Sequence, residues 1–424
     1  MWVLPKDLTV SLLERVPLPH EIVPGLLPSK NPLVSVAQYF GIEVHSYPAG
    51  HLDIVQFLAQ ELDVITCIFV FHVILVALYY TVVRNLGSAR TLGTLVICAA
   101  LLCAGAVYEA DYPFVNFTWL AVMFRAALNM WDVSILRTDE EVDDWSIVEF
   151  FSHLWALPLE RSVLAEREKQ GIKVNVRVQA VRRLIIAAAH SLWLCVLLYV
   201  IPPYHIFVKL PQVKRSAYMF VMSLAVFHAL AGLITLPTEG LALITGCEQA
   251  ETLKNPFTAV GLRIFWSRWN RMIATVLHRV IFGGRGTHKS VDDRKKEKQA
   301  KPNRLVAICK AMLTFLVSGI FHEYLIYFSV KEPIVGINTL FFLYNGVACI
   351  ASTMLAVSMP KLNKSFPDIL KIALMHCFFF TVAELFLPPY IKGGYFTDGQ
   401  AIFNNLVYAR TQNPTNVFIS IFGE

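Results

Sequence analysis

The sequence predicts an all-α, polytopic integral membrane protein with about eight transmembrane helices and further interfacial helices. Three observations carry that fold class. Hydrophobic residues fill 56% of the 424 positions and charged residues only 16%, with a mean hydropathy of +0.54, values that do not fit a water-exposed surface. The apolar residues are gathered in runs of roughly 20, the length that crosses a bilayer as a helix. Charge is concentrated between those runs. A disordered, fibrous or secreted disulfide-rich chain is therefore excluded. The formal charge of +6 reads as a topology signal, with no nucleic acid implied as a partner.

Residues 1–62 contain Pro5, Pro17, Pro19, Pro24, Pro28, Pro32 and Pro48, too many for one long helix, and are expected to lie at the membrane interface. Residues 63–424 are expected to form one multi-span domain. Its strong runs are Val64–Val83, Thr91–Tyr108, Leu184–Ile201, Ala217–Leu236, Leu305–Phe328, Val335–Met359 and Ile369–Leu387. Phe117–Trp131 is weaker because it carries Arg125; counting it gives about eight crossings. The stretch 283–303, with GGRG followed by a charged run, is expected to be a solvated cytosolic loop. The first 60 or so residues lack the pattern of a signal peptide, so targeting to the secretory membrane system, the endoplasmic reticulum, falls to the first span.

Loop charges set the orientation. Arg84 and Arg90 follow the first run and Glu109 and Asp111 the second, which places the first loop in the cytosol and the second in the lumen. With the weak run counted as a crossing, the basic residues of 132–183 and the basic segment Arg294 to Lys301 fall on the cytosolic side, and both termini in the lumen. Asn116-Phe-Thr118 then becomes a lumenal glycosylation sequon.

The eight cysteines form no CxxC pair and have no histidine cluster beside them, so neither a disulfide framework nor a metal site is indicated. Ionisable groups inside apolar runs are costly and become functional candidates by default. The sharpest are His322 and Glu323 in the stretch Phe315 to Tyr324. As helix neighbours they point about 100° apart, with Ser318 one turn behind His322 and Gly319 one turn behind Glu323. A glycine there lets another helix or a ligand approach closely. His72, His190, His228 and His376, each alone in an apolar run, read as structural; Glu384 lacks an obvious local partner. A second constellation runs from Arg263 to Arg279. Read as one helix, Phe265, Trp266, Trp269, Ile273, Val276 and Val280 form an apolar stripe, opposite Arg263, Ser267, Asn270, Arg271 and His278, as in an interfacial helix. Its guanidinium groups also suit phosphate.

FWSRWN at 265–270 and, about 50 residues later, VSGIFHEY at 317–324 resemble the two hallmark motifs of membrane-bound O-acyltransferases. The chain is most similar to the wax synthase-like branch, where FWGRRWHQ-type and VSGLLHE-type sequences recur, and in size and arrangement it resembles fungal acetyltransferases that decorate terpenoids and meroterpenoids. The resemblance covers about residues 256–330. Asn270 stands where many wax synthase-like members have histidine, as in the sterol and diacylglycerol acyltransferases.

The resemblance implies transfer of an acyl group, acetyl in first place, from an acyl-CoA such as acetyl-CoA to the hydroxyl of a hydrophobic acceptor, with no metal. In that scheme His322 is the general base, a role suited to an imidazole whose ordinary pKa of about 6.5 leaves it largely neutral near pH 7. Asn270 donates to the oxyanion or holds the thioester. Glu323 and Ser318 support the site, while Arg263, Arg268, Arg271, Trp266 and Trp269 serve the coenzyme. The acceptor enters from membrane lipid, where water is scarce. The alternatives are a wax ester synthase acting on long-chain alcohols and, from another class, a proton-coupled transporter with His322 and Glu323 as relay.

Overall fold

The computed structural model describes residues 43–48, 54–282, 304–330, 333–408 and 415–420. The loop expected at 283–303 and most of the segment 1–62 lie outside the described residues. The described chain is dominated by helices. A single two-stranded antiparallel ribbon joins β1 (Glu43–Pro48) to β2 (Thr415–Ser420), Glu43 opposite Ser420.

Seven helices among the described residues are long and apolar enough to cross a membrane. The first three are α1 (Ile54–Thr81), α2 (Arg90–Val107) and α3 (Pro113–Trp131). The short α4 (Ile147–Trp155) and α5 (Arg161–Lys169) precede two more, α6 (Val176–Leu198) and α7 (Gln212–Thr245). Two short helices, α8 (Leu262–Arg268) and α9 (Arg271–Phe282), lead to the last two, α10 (Arg304–Ser329) and α11 (Ile337–Ser358). The eighth apolar run forms α12 (Asp368–Val382), about 22 Å long, and a tight turn at Ala383–Leu385. The chain closes with α13 (Pro388–Lys392) and α14 (Tyr395–Tyr408).

Helix α1 begins at Ile54, earlier than the boundary expected at residue 63. No proline follows Pro48 until Pro113, and the acidic Glu61 and Asp63, which interrupt the apolar run in sequence, are accommodated inside the helix. The weak run, α3, is central: Trp119, Leu120, Met123, Ala126, Ala127 and Met130 are all buried. A helix surrounded by protein does not need an apolar residue on every face. The outer spans instead expose large apolar side chains, such as Phe69, Val96, Ile185, Leu305 and Leu355, the pattern of a lipid-facing surface.

Side-chain contacts sort the connections into two ends. At one, Gln56 and Gln60 donate to Asp111 at 2.5 and 2.6 Å, Gly399 packs on Leu198, and Phe207 packs with Leu387 and Ile391. At the other, Arg84 pairs with Asp143 at 2.7 Å, Arg90 with Asp139 at 2.5 Å and Arg167 with Glu248 at 2.6 Å, while Lys310 donates to the Phe282 carbonyl at 3.3 Å. Loop charges predict this same partition when the weak run is a crossing. Helix α12 completes it, since Phe379 packs on Phe265 of α8, and beyond the helix Glu384 accepts from Ser216 at the start of α7.

At its basic-loop end α3 passes into a π turn, Asp132–Leu136. The buried Asp132 carboxylate accepts two bonds of 2.7 Å from Arg279, through Nε and Nη2, and a third of 3.3 Å from Arg137. Such a two-pronged pair fixes both position and angle. Removing one partner of a buried pair costs about 3–5 kcal/mol, so α9 is held firmly against α3.

Candidate active site

The segment read as one helix from Arg263 to Arg279 is broken in the middle. Helix α8 stops at Arg268, Trp269 is extended, and Asn270 has a left-handed backbone with φ of +34° before α9 begins. Asparagine is one of the few residues besides glycine that tolerate this region. The break is held by backbone bonds: Arg271 N–H donates to the Thr252 carbonyl at 2.8 Å, and the Asn270 carbonyl accepts from Ile273 and Ala274 at 3.1 Å each. Trp266, Trp269 and Asn270 line a cavity of about 300 Å³ walled by α3, α7, α10, α11, α12 and α13. The Trp266 indole Nε1 and the Asn270 Oδ1 are buried without a partner. Buried polar atoms of that kind mark places where a ligand atom or water belongs.

His322 lines the same cavity from α10. Its ring stacks on Phe342, centroids 4.8 Å apart at 22°, with Phe386 edge-on at 5.1 Å. Its Nδ1 lies 2.8 Å from the Tyr390 hydroxyl. Burial, with Tyr395 and Glu323 nearby, pushes that hydroxyl well above its ordinary pKa, so Tyr390 keeps its proton and can either donate or accept. When Nδ1 carries the histidine proton and donates it to Tyr390, the Nε2 lone pair is left free.

Glu323 serves the other side of α10. Its Oε1 accepts from the Thr339 N–H at 2.9 Å, one of the first-turn donors of α11 that have no partner within their own helix. One turn earlier, a Cβ on Gly319 would sit 2.7 Å from the Thr339 Cα. Gly319 and Glu323 thus dock α11, while His322 addresses the cavity. Ser318 does not join it: its hydroxyl donates to the Thr314 carbonyl of its own helix at 2.9 Å.

The three arginines assigned to a coenzyme do not converge on the cavity. Arg263 is exposed, Arg268 donates to Thr258 Oγ1 at 3.3 Å, and Arg271 donates to the Glu251 carbonyl at 2.7 Å. Arg268 and Arg271 instead hold the loop before α8. A larger cavity of about 980 Å³ under α4 and α5 has more acids than bases on its walls, with Glu141, Glu149, Glu160 and Glu248 among them, which does not suit phosphate.

The remaining candidates divide. His72 bonds the Ile68 carbonyl at 2.7 Å, a structural histidine. His376 bonds the Phe257 carbonyl at 2.9 Å and also lines the cavity. His190 and His228, solitary in sequence, face each other across α6 and α7 at 2.6 Å. Glu384 finds Ser216 at 3.2 Å and Arg215 at 3.7 Å. Asn116 is 6% exposed, and its amide makes bonds of 2.7 and 3.1 Å with both polar groups of Ala110. Sequence reasoning missed Tyr390 altogether. It also passed over Arg125 as a cavity residue, although a lone charge inside a span was the available signal.

Residues 250–344 match the family model described as membrane bound O-acyl transferase family. Among curated proteins, the chain is 27% identical over 158 residues to probable long-chain-alcohol O-fatty-acyltransferase 9 of Arabidopsis thaliana, covering 36% of this chain and 44% of that protein. It is 26% identical over 202 residues to probable long-chain-alcohol O-fatty-acyltransferase 11 of the same plant, covering 45% and 43%. The chain thus spans less than half the length of the curated relatives it matches. Both motifs, the broken helix at Asn270 and the turn of α10 bearing His322, fall inside a segment similar to the membrane bound O-acyl transferase family.

Proposed function

We propose that the protein is a membrane O-acyltransferase that moves an acyl group from coenzyme A to the hydroxyl of a hydrophobic alcohol. The observation that carries this reading is the meeting of His322 and Asn270, distant in sequence, on one aromatic-lined cavity. His322 Nε2 takes the acceptor hydroxyl proton as its oxygen attacks the thioester carbonyl carbon. The resulting oxyanion accepts from the Asn270 amide N–H, with the unpartnered Trp266 indole N–H as a second donor. The carbon–sulfur bond then breaks, and the departing thiolate takes the proton back from the imidazolium, giving an ester and free coenzyme A. Tyr390, bonded to Nδ1, holds the ring in the tautomer this requires. Aromatic walls keep water, the competing nucleophile, away from the thioester.

For the donor, a short acyl group, acetyl, with a compact alcohol of the hydroxylated terpenoid kind is the first reading, and it rests on the resemblance in size and arrangement to fungal acetyltransferases. The second reading, a fatty acyl donor with a long-chain alcohol giving a wax ester, is favoured by the names of the relatives. A proton relay through His322 and Glu323 fits less well, since Glu323 caps α11 and is not among the cavity-lining residues. On this reading the enzyme acts in the endoplasmic reticulum membrane, with its basic loops toward the cytosol. The test is transfer of labelled acetyl or palmitoyl from the thioester to an alcohol panel by purified membranes. His322→Ala is expected to lower the rate at least 100-fold without loss of membrane insertion; near-normal transfer by that variant removes the base assignment.

A further inference from the structure

His376 enters the cavity wall from α12, and its two ring nitrogens are not equivalent. Nε2 lies 2.9 Å from the Phe257 carbonyl oxygen. A carbonyl oxygen only accepts, so Nε2 carries the proton, and in a neutral imidazole Nδ1 is then a bare lone pair. Imidazole is mostly neutral near pH 7, and no carboxylate stands among the described cavity-lining residues to pair with an imidazolium. Among the described residues nothing donates to Nδ1. A lone pair left bare in a wall of Phe220 and Phe257 rings, each 5.9 Å away, marks a place for an O–H or N–H group of a ligand.

Ser223 of α7, which also lines the cavity, adds a second acceptor beside it. Its hydroxyl proton is spent on the Phe220 carbonyl at 2.7 Å, and Phe220 is a ring that meets His376. The oxygen keeps its lone pairs. The rings around His322 are a different set, Phe321, Phe342 and Phe386. The two sets are joined through Trp266, which meets Phe342 at 5.6 Å and Phe379, one turn beyond His376, at 6.2 Å. The transfer steps employ His322, Asn270, Trp266 and Tyr390, and leave the patch at His376 without a task.

We propose that His376 Nδ1 determines specificity by accepting a hydrogen bond from an O–H or N–H group that a substrate carries apart from the reacting hydroxyl. This rests on the acyltransferase reading above. Two sources of that group fit: a second hydroxyl on the acceptor alcohol, or an amide N–H of the pantetheine arm of the donor.

The experiment uses two conservative variants that divide the functions of the ring. Glutamine puts its amide nitrogen near the position of Nε2 and keeps the bond to Phe257; asparagine puts its oxygen near that of Nδ1 and keeps the acceptor. Transfer by membranes is measured with diols and their matching mono-ols, and with acyl-CoA and an analogue whose two amides are esters. In His376→Gln the KM of the recognised substrate is expected to rise about two- to tenfold, the size of one hydrogen bond, with kcat within about twofold and His376→Asn near wild type. A rise for diols that spares mono-ols puts the group on the acceptor; a rise for acyl-CoA that spares the ester analogue puts it on the donor. An unchanged KM in His376→Gln overturns the inference and leaves the ring a strut for Phe257, the more so if His376→Asn is impaired. A rise shared by every substrate overturns it in favour of a wall residue, and a fall in kcat of about 100-fold in favour of a base. If His376→Gln does not reach the membrane, His376→Asn decides: a wild-type preference for diol over mono-ol, or for amide over ester, that this variant keeps supports the inference, and one that it loses or that the wild type lacks overturns it. Wild-type membranes that transfer from no thioester remove the acyltransferase reading itself, whereas transfer without these changes in KM removes the role of His376 alone.

Discussion

At the residue scale, the site is a set of polar atoms whose cost inside an apolar setting made most of them visible in sequence. His322, Glu323 and Gly319 stood out because a span rarely keeps an acid, a base and a glycine within five residues. What the sequence left undecided was which side each would serve, and the structure separates His322, on the cavity, from Glu323, on α11. Tyr390 carried no signal. A tyrosine beside a proline pair, 68 residues beyond His322, is ordinary until the fold brings its hydroxyl within 2.8 Å of Nδ1. Tyr390→Phe removes that bond and leaves the ring's bulk in place. A net hydrogen bond is worth about 0.5–1.5 kcal/mol, so kcat is expected to fall about two- to tenfold with both KM values held. A raised KM at constant kcat would instead make Tyr390 a wall residue only. The arginines of the first motif have a chemistry that suits phosphate, and in the structure Arg268 donates to Thr258 and Arg271 to the Glu251 carbonyl.

At the element scale, periodicity found the spans but misread one short segment. The apolar stripe from Phe265 to Val280 is real as spacing, yet the left-handed backbone at Asn270 divides it into α8 and α9. A sequence pattern records side-chain spacing and is blind to a single reversed φ when the residue is not glycine. The hydropathy of α3 misleads for a related reason: it measures likeness to lipid, and α3 is surrounded by protein. The seam between α10 and α11 is the element contact with least tolerance. At Gly319 a methyl group would meet the backbone of Thr339, which cannot rotate aside as a side chain can. Gly319→Ala is expected to cost about 1–3 kcal/mol, read as a lower unfolding temperature in detergent, with a fall in activity as α11 shifts. Gly240→Ala, in α7 where nothing stands within 4 Å of a Cβ, is the control and should be neutral. Equal behaviour of the two variants would refute the close-packing account of the VSG motif.

At the scale of the whole molecule, the alternation of loops between two ends was legible because each connection carries charge that lipid would reject. The eighth crossing was less secure, since α12 spans only about 22 Å and needs the turn at Ala383–Leu385 to reach the far end. The partition is testable with engineered glycan acceptor sites: those placed in 199–211 should be modified in microsomes, and those in 156–175 should not. Glycans on the second set would invert the orientation. Neither the composition nor the motifs hinted at β1 and β2, which come from regions without strong periodicity and pair across more than 360 positions of sequence. That ribbon makes the two extremities of the described chain depend on each other. Among the described residues each strand has its ladder partners in the other alone, so deleting Thr415–Ser420 removes the partner strand of Glu43–Pro48. The two deletions are therefore expected to be non-additive: removing both should lower the unfolding temperature no further than removing either. A molecule whose middle is buried in lipid would in this way register damage at one extremity as damage at the other.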